Sequence, residues 1–475
     1  MKIYFVSSEA YPFSKTGGLA DMAYFLPKSL NAMHIDTKVI TPYYKQIQKY
    51  AEQMEYIGTK TVHVSNHEWV FKYYLMIYET TTYYFIQNMH LFERDNLYGY
   101  EDDIDRFTAF DYAVLELFDL INDYPQILHL NDWQTGMIPY LLDQKYRHRN
   151  LDYNKIHTLL TIHNLQYQGS FDQSFYHYFS DELDYTYMHF NAINFLKAGI
   201  ERATKITTVS PTYRNEILTQ DYGFTLDGIL NQRQHDLYGI LNGIDEEIFN
   251  PETDPLLSTH YQIKNAIAQK KILKKQIIEQ YQLKNEYHAP LIAYIGRLAN
   301  QKGVDIILQA IEDCINFSDA IFIILGSGNE NYEHHIRYLT SKYPNRIANY
   351  IGFNEQVAHQ IYAGSDIFLM PSKFEPCGLG QMIAMRYGSL PIVTETGGLK
   401  DTVIPYNKYT LSGTGFSFAH YSLYEFKEQI YQAIDLYINH KLVFNRLVRQ
   451  AMKQDYGLKQ VARSYDLLYR MIMEA

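Results

Sequence analysis

Cysteine is nearly absent from this chain of 475 residues: Cys314 and Cys377 are the only two, far apart and without the spacing of metal ligands. Two such residues make neither a disulfide framework nor a zinc site, and they fit a reducing compartment, so a cytoplasmic location is expected. Apolar runs of about 18 residues are missing too. The chain opens on Met1-Lys2-Ile3-Tyr4-Phe5-Val6, a strand pattern without signal-peptide character, so no membrane partner is expected. No Lys/Arg-rich stripe occurs, and the net charge of −11 is spread along the chain, which argues against nucleic acid and suits a neutral polymer. Low-complexity tracts are lacking, so the chain is expected to fold throughout. Two nucleotide signatures are also missing. No Gly-x-x-x-x-Gly-Lys-Ser/Thr occurs, and the adjacent glycines near the N-terminus break the dinucleotide fingerprint.

What is present is length enough for two cores and a repeated local style. Short β-branched runs alternate with helical periodicity, the pattern of parallel strands joined by crossover helices, so the class is α/β. Strands are predicted at 3–7, 37–41, 126–130, 157–162 and 205–209, and again at 291–295, 320–325, 347–351, 366–370 and 390–394. The turn in Ile240-Leu241-Asn242-Gly243-Ile244-Asp245, followed by Pro251 and Pro255, places a hinge there. The domains expected are 1–242 and 243–456, followed by a helix over 457–475 whose docking partner periodicity does not identify. Tyrosine is frequent, with 46 residues, most of them expected in cores or interfaces.

The chemistry concentrates where predicted strands run into helices. Lys15-Thr16-Gly17-Gly18-Leu19-Ala20-Asp21 opens a helix with an apolar stripe at Leu19, Ala23, Leu26 and Leu30. Free N–H groups at that helix start, glycines that admit close approach and the Lys15 charge together favour an anion such as a nucleotide diphosphate; a plain tight turn is the alternative. The segment is echoed at Thr396-Gly397-Gly398-Leu399-Lys400-Asp401, either a second wall of the same site or a simple turn. In Gly296-Arg297-Leu298-Ala299-Asn300-Gln301-Lys302-Gly303, Arg297 and Lys302 either converge on one anion or decorate a solvated loop.

In Phe374-Glu375-Pro376-Cys377-Gly378-Leu379-Gly380-Gln381, Glu375 either binds sugar hydroxyls or answers positive charge developing on a sugar carbon, and the amides at Gly378 to Gly380 suit phosphate or hydroxyl oxygens. Cys377 reads as a packing residue before a nucleophile, since no partner base is identifiable. His129-Leu130-Asn131-Asp132-Trp133 and Thr161-Ile162-His163-Asn164 stand at the ends of predicted parallel strands, where ligands bind. Asp132 is a helix cap or a site carboxylate; His163 is structural or, with Asn164, binds sugar hydroxyls. Asp103-Ile104-Asp105 mimics a metal-binding Asp-x-Asp but is read as the charged start of a helix.

Together these motifs resemble the bacterial glycogen synthase and plant starch synthase family over essentially the whole chain, with Asn242-Gly243-Ile244-Asp245 as a further match. The resemblance implies a GT-B fold: two Rossmann-like doubly wound domains facing a deep cleft, the first on the acceptor side and the second binding the nucleotide sugar, with the C-terminal helix 457–475 returning to the first. It implies ADP-glucose as donor, an α-1,4-glucan such as glycogen as acceptor, retention at the anomeric carbon, and no metal or other cofactor, the diphosphate being held by Arg297 and Lys302. By the same carry-over Glu375, Asp132, His163, Arg297 and Lys302 are catalytic. Lys15, Gly17, Gly18, Asp21, Asn164, Asn242, Phe353, Cys377, Gly378 and Leu379 are donor-binding. Phe353 stands where the family commonly has tyrosine, and Gly380 where threonine is usual. A related GT-B enzyme using UDP-glucose or a small acceptor, and a glucan-binding protein without catalysis, are the competing readings.

Overall fold

The computed structural model describes residues 1–284 and 289–474. It divides into two compact units, Met1–Leu241 with Leu458–Ala475, and Asn242–Gly457.

The first unit is built on strands β1 (Lys2–Val6), β2 (Asp36–Pro42), β3 (Glu55–Val64), β4 (His67–Tyr78), β5 (Thr81–Gln87), β6 (Ile127–Asn131), β7 (His157–Ile162), β11 (Lys205–Thr208) and β12 (Leu237–Gly239). Their order in the sheet is β12-β11-β7-β6-β1-β2-β5-β4-β3. Seven of these, from β12 through β5, run parallel, and β6 and β7 are buried along nearly their whole length, as expected of a sheet covered on both faces. The antiparallel ribbon β3–β4 that extends the edge had no counterpart in the sequence reading. Its residues alternate between exposed and buried, a half-solvated pattern unlike the nearly continuous burial of β6 and β7. A separate three-stranded sheet is formed by β8 (Ser170–Asp172), β9 (Met188–His189) and β10 (Ala192–Asn194).

Helix Gly18–Ala32 follows β1, and the C-terminal helix Leu458–Glu474 packs on it within the same unit. The latter buries Val461, Ala462, Tyr465, Leu468, Tyr469 and Ile472, one face at helical spacing. His129 pins this helix: its Nδ1 meets the Tyr469 hydroxyl at 2.7 Å and its Nε2 meets Thr161 Oγ1 at 2.7 Å. Burial drives the imidazole well below its ordinary pKa, so His129 is a neutral core residue.

The second unit holds a six-stranded parallel sheet of β13 (Leu291–Ile295), β14 (Ile321–Gly326), β15 (Ile347–Ile351), β16 (Ile367–Met370), β17 (Leu390–Thr394) and β18 (Phe416–Phe418), ordered β15-β14-β13-β16-β17-β18. Both large sheets are doubly wound. In each the chain first moves outward on one side and later on the other, leaving a fork between β1 and β6 in the first unit and between β13 and β16 in the second. Loops at the carboxyl ends of strands bordering such a fork diverge and leave room for a ligand.

Candidate active site

At the fork of the first unit, the loop after β1 carries Lys15, Gly17 and Gly18, and the residue after β6 is Asp132. Helix Gly18–Ala32 starts as expected, with Gly17 in extended conformation at its N-cap and Asp21 in its first turn. Of the N–H groups expected free there, those of Thr16 and Gly17, just ahead of the first helical residue, are already engaged. Glu9, at the end of β1, lies buried beneath the loop and its carboxylate accepts from Thr16 N at 2.5 Å, from Thr16 Oγ1 at 2.9 Å and from Gly17 N. Burial raises the Glu9 pKa despite these donors. The Lys15 charge is likewise engaged, its Nζ lying 2.7 Å from Asp21 Oδ1 while the side chain remains half-exposed. Beside this loop a cavity of about 350 Å³ is lined by Lys15, Thr16, Asn96 and Tyr98 among others.

Asp132 adopts φ 57° and ψ −171°, a conformation nearly confined to glycine, and its side chain makes no cap bond to the helical turn that follows. It is therefore not the helix cap that was one reading of it. Such a backbone costs about 1–3 kcal/mol and persists only where its surroundings fix it. Here the Asp132 N–H donates to Thr161 O at 2.9 Å, and the carboxylate accepts from His163 N at 2.7 Å and from Asn164 N. The carboxyl is half-buried near Glu9, and desolvation, with the like charge of Glu9, lifts its pKa to about 7. His163, half-buried, is held the other way: burial lowers it to about 3. Its Nε2 is 2.9 Å from Asn131 Oδ1. Asn164 turns its side chain onto Gln166 N at 3.0 Å.

At the fork of the second unit, Gly303 has φ 74°, and a Cβ there would stand 2.0 Å from Pro371 O. Only glycine permits that approach of the loop after β13 to the loop after β16. The approach brings Lys302 Nζ to 2.5 Å from Glu375 Oε2, which also accepts from Ser372 Oγ at 3.0 Å. Arg297 stays apart from this pair, exposed and without an ion-pair partner among the described residues. Asn242 is buried, its N–H donates to the Cys377 thiol, and its Oδ1 has no hydrogen-bond partner among the described residues. That oxygen is left available to a ligand or to water.

Burial pushes the Cys377 thiol up to about 12, which removes it as a nucleophile. Gly378 has φ 73° and Leu379 is the N-cap of helix Gly380–Arg386. At Gly380 a Cβ would stand 3.3 Å from both the Phe368 ring and the Tyr362 hydroxyl. Phe353 is 80% exposed.

The echo at Thr396–Asp401 has a packing role: a Cβ on Gly397 would stand 2.0 Å from Glu375 O, and one on Gly398 2.2 Å from Cys377 O. Those glycines let helix Gly397–Thr402 press against the Glu375 loop. Asp103 and Asp105 stand in the first turn of helix Asp103–Ile121, as expected, where Asp103 is ion-paired with Arg106 and Asp105 accepts from the Tyr178 hydroxyl at 2.6 Å. The sequence reading missed Glu9, Asn131 as a partner of His163, and Ser372. Each is adjacent to a strand end already singled out, which was the available signal.

Two doubly wound units, each with charged side chains at its fork, define a two-domain glycosyltransferase of the GT-B type, and a glycosyl transferases group 1 model matches residues 274–447. A starch synthase catalytic domain model matches residues 2–232. The chain is 59% identical over 474 residues to a glycogen synthase of Acholeplasma laidlawii, covering 100% of this chain and 99% of that one. It is 44% identical to a glycogen synthase of Anoxybacillus flavithermus, covering 100% and 98%. The catalytic domain of starch synthase IV from Arabidopsis thaliana, solved bound to ADP and acarbose, superposes with a TM-score of 0.92 at 30% identity, covering 100% and 99%. A sucrose-phosphate synthase from Thermosynechococcus elongatus, at TM-score 0.62 and 16% identity, shares the fold alone. The chain belongs to the glycogen synthase and starch synthase family of glycosyltransferases.

Proposed function

We propose that this enzyme transfers glucose from ADP-glucose to the non-reducing 4-hydroxyl of an α-1,4-glucan such as glycogen, with retention of configuration, in the cytoplasm. The observation that carries this reading is the Lys302–Glu375 pair at the fork of the second sheet, with Asn242, whose N–H meets Cys377, offering a buried amide oxygen that no described residue bonds. A cation and a carboxylate held together there suit a substrate whose leaving group is a diphosphate and whose sugar becomes positive as it leaves. Lys302 and Arg297 neutralise the diphosphate; Arg297 is exposed and available to it. The starch synthase IV relative was solved with ADP and acarbose, a nucleoside diphosphate and a saccharide, which supports the same pair of ligands here.

In the second unit Glu375 faces the transferred glucose together with Asn242; in the first, Asp132, His163 and Asn164 serve as sugar-binding residues. Lys15, Gly17, Gly18 and Asp21 serve the donor, as do Phe353, Cys377, Gly378 and Leu379. The bond from C1 to the phosphate oxygen breaks as the bond from the acceptor oxygen to C1 forms, and the acceptor proton passes to the departing phosphate on the same face. No side chain acts as a covalent nucleophile: the Cys377 thiol stays protonated, and Glu375 is committed to Lys302 and Ser372. The protein cations take the part a metal plays elsewhere.

Incubation with ADP-glucose or UDP-glucose and glycogen, following glucose incorporation, tests the donor. Activity with UDP-glucose alone would sink the ADP-glucose assignment, and glycogen binding without transfer from either would leave a glucan-binding protein. EDTA is expected to leave the rate intact; a loss restored by a divalent ion would overturn the metal-free reading.

A further inference from the structure

We infer that Asn131 is a positioning residue that locks His163 in the tautomer with the proton on Nε2, so that Nδ1 meets the substrate as a hydrogen-bond acceptor. Val6 is the last residue of β1 and faces the Asn131 amide. Its carbonyl oxygen can only accept, and the Asn131 side-chain atom 2.9 Å from it is therefore the amide nitrogen. The second, longer approach of the same nitrogen, to His129 O at 3.5 Å, also ends on a carbonyl. With Nδ2 fixed by an obligate acceptor, the other end of the amide is necessarily the oxygen, and it lies 2.9 Å from His163 Nε2. An amide oxygen cannot donate, so Nε2 carries the proton.

The imidazole is neutral, since burial holds its pKa at about 3. A neutral ring protonated on Nε2 has a bare Nδ1, which makes no hydrogen bond to any described residue. Asn131 is itself fully buried at the end of β6, and its N–H donates to Thr135 Oγ1 at 2.8 Å, so neither its backbone nor its amide is free to turn over. The His163 N–H is held by Asp132 at 2.7 Å. The ring is thus fixed at its backbone and at one nitrogen, and offers a single polarity at the other.

The chemical consequence concerns which substrate groups His163 recognises. A bare nitrogen accepts from a hydroxyl and repels an ether or carbonyl oxygen, so it discriminates a free sugar hydroxyl from the same position blocked as an ether. It also cannot supply a proton to a departing group at neutral pH. The role of His163 as a sugar-binding residue rests on the function proposed above; its tautomer does not.

The test begins with the unmodified full-length chain labelled with 15N-histidine, the His163 ring signals being assigned by their loss in His163→Asn. Nε2 is expected in the protonated range and Nδ1 in the bare range from pH 5.5 to 8; a bare Nε2, or fast exchange between tautomers, would overturn the inference. Asn131→Leu removes the acceptor while keeping the volume. It is expected to bring the second tautomer into view and to lower kcat/KM about tenfold. If that variant does not fold, Asn131→Ser supplies the same two readings. An unchanged ring spectrum with an unchanged rate in a folded Asn131 variant would remove Asn131 as the positioning residue. An unaffected rate in His163→Ala would overturn the contact of His163 with the sugar, and would do so whatever the tautomer.

Discussion

Lys302 Nζ lies 2.5 Å from Glu375 Oε2, with the Glu375 side chain only 8% exposed and that of Lys302 19% exposed. The pair spans two loops that are separate in sequence and meet because Gly303 lets one pass close to Pro371. Lys302→Ala leaves the carboxylate with Ser372 as its remaining side-chain donor, a loss of about 1–3 kcal/mol in urea unfolding. If Lys302 also answers the leaving phosphate, kcat falls about 10²–10³-fold. Glu375→Gln keeps the shape and should unfold close to the wild type while losing activity. A Lys302→Ala enzyme that is destabilised yet turns over normally would reduce the pair to a structural role.

Asp132 supplies a pH prediction whose sign can be worked out. Its folded pKa of about 7 lies above the ordinary carboxyl value, so between the two the folded protein holds a proton that the unfolded chain has released. The contribution to stability is fully present below about pH 4 and is lost as pH rises through about 7, amounting to about 4 kcal/mol at most. Urea unfolding from pH 4.5 to 8 should show this downward slope in the wild type, and Asp132→Asn should flatten it. A slope unchanged in the variant would mean that other groups, Glu9 first among them, carry it.

How much of this was legible in the sequence depends on the kind of signal. Ten of the parallel strands were legible as short apolar or β-branched runs, 291–295 most plainly. The three-residue parallel strands β12 and β18 were too short to stand out, β5 was not expected either, and in β3 and β4 exposed and buried positions alternate. The site motifs were legible as clusters at strand ends. Their internal wiring was not, because it depends on three-dimensional neighbours: Glu9 beneath Thr16, Asn131 against His163 and Gly397 against Glu375 follow from strand order and loop closure. Anion-friendly amides at Lys15–Gly18 were a sound inference from a helix start. It failed at Thr16 and Gly17 because a carboxylate from the preceding strand end reaches them first.

That carboxylate gives a third prediction. Glu9→Gln retains volume and one acceptor oxygen but loses the charge that draws the Thr16 and Gly17 N–H groups. The charge-assisted bonds lost and the relief of a buried ionised group oppose each other, so global stability should move by no more than about 1 kcal/mol. The loop, however, is less firmly held, and KM for the nucleotide sugar should rise with kcat changing less. Steady-state kinetics beside urea unfolding separate the two effects. A large stability loss with unchanged kinetics would make Glu9 a fold residue alone.

The two Gly-Gly turns, alike in sequence, should respond oppositely to alanine. Gly397 has φ 42° and its added Cβ would stand 2.0 Å from Glu375 O; the Cβ of Gly398→Ala would meet Cys377 O at 2.2 Å. Backbone atoms cannot yield such distances, so both substitutions push the Glu375 loop away and should cost about 1–3 kcal/mol as well as activity. Gly17 is extended, and its Cβ would find only Glu9 Oε1, at 3.7 Å. Gly17→Ala should therefore unfold at the wild-type urea midpoint. Any fall in its kcat/KM then measures close approach of the donor to the backbone, since no protein contact is disturbed. A Gly17→Ala enzyme of unchanged stability and unchanged kinetics would take Gly17 out of the donor site.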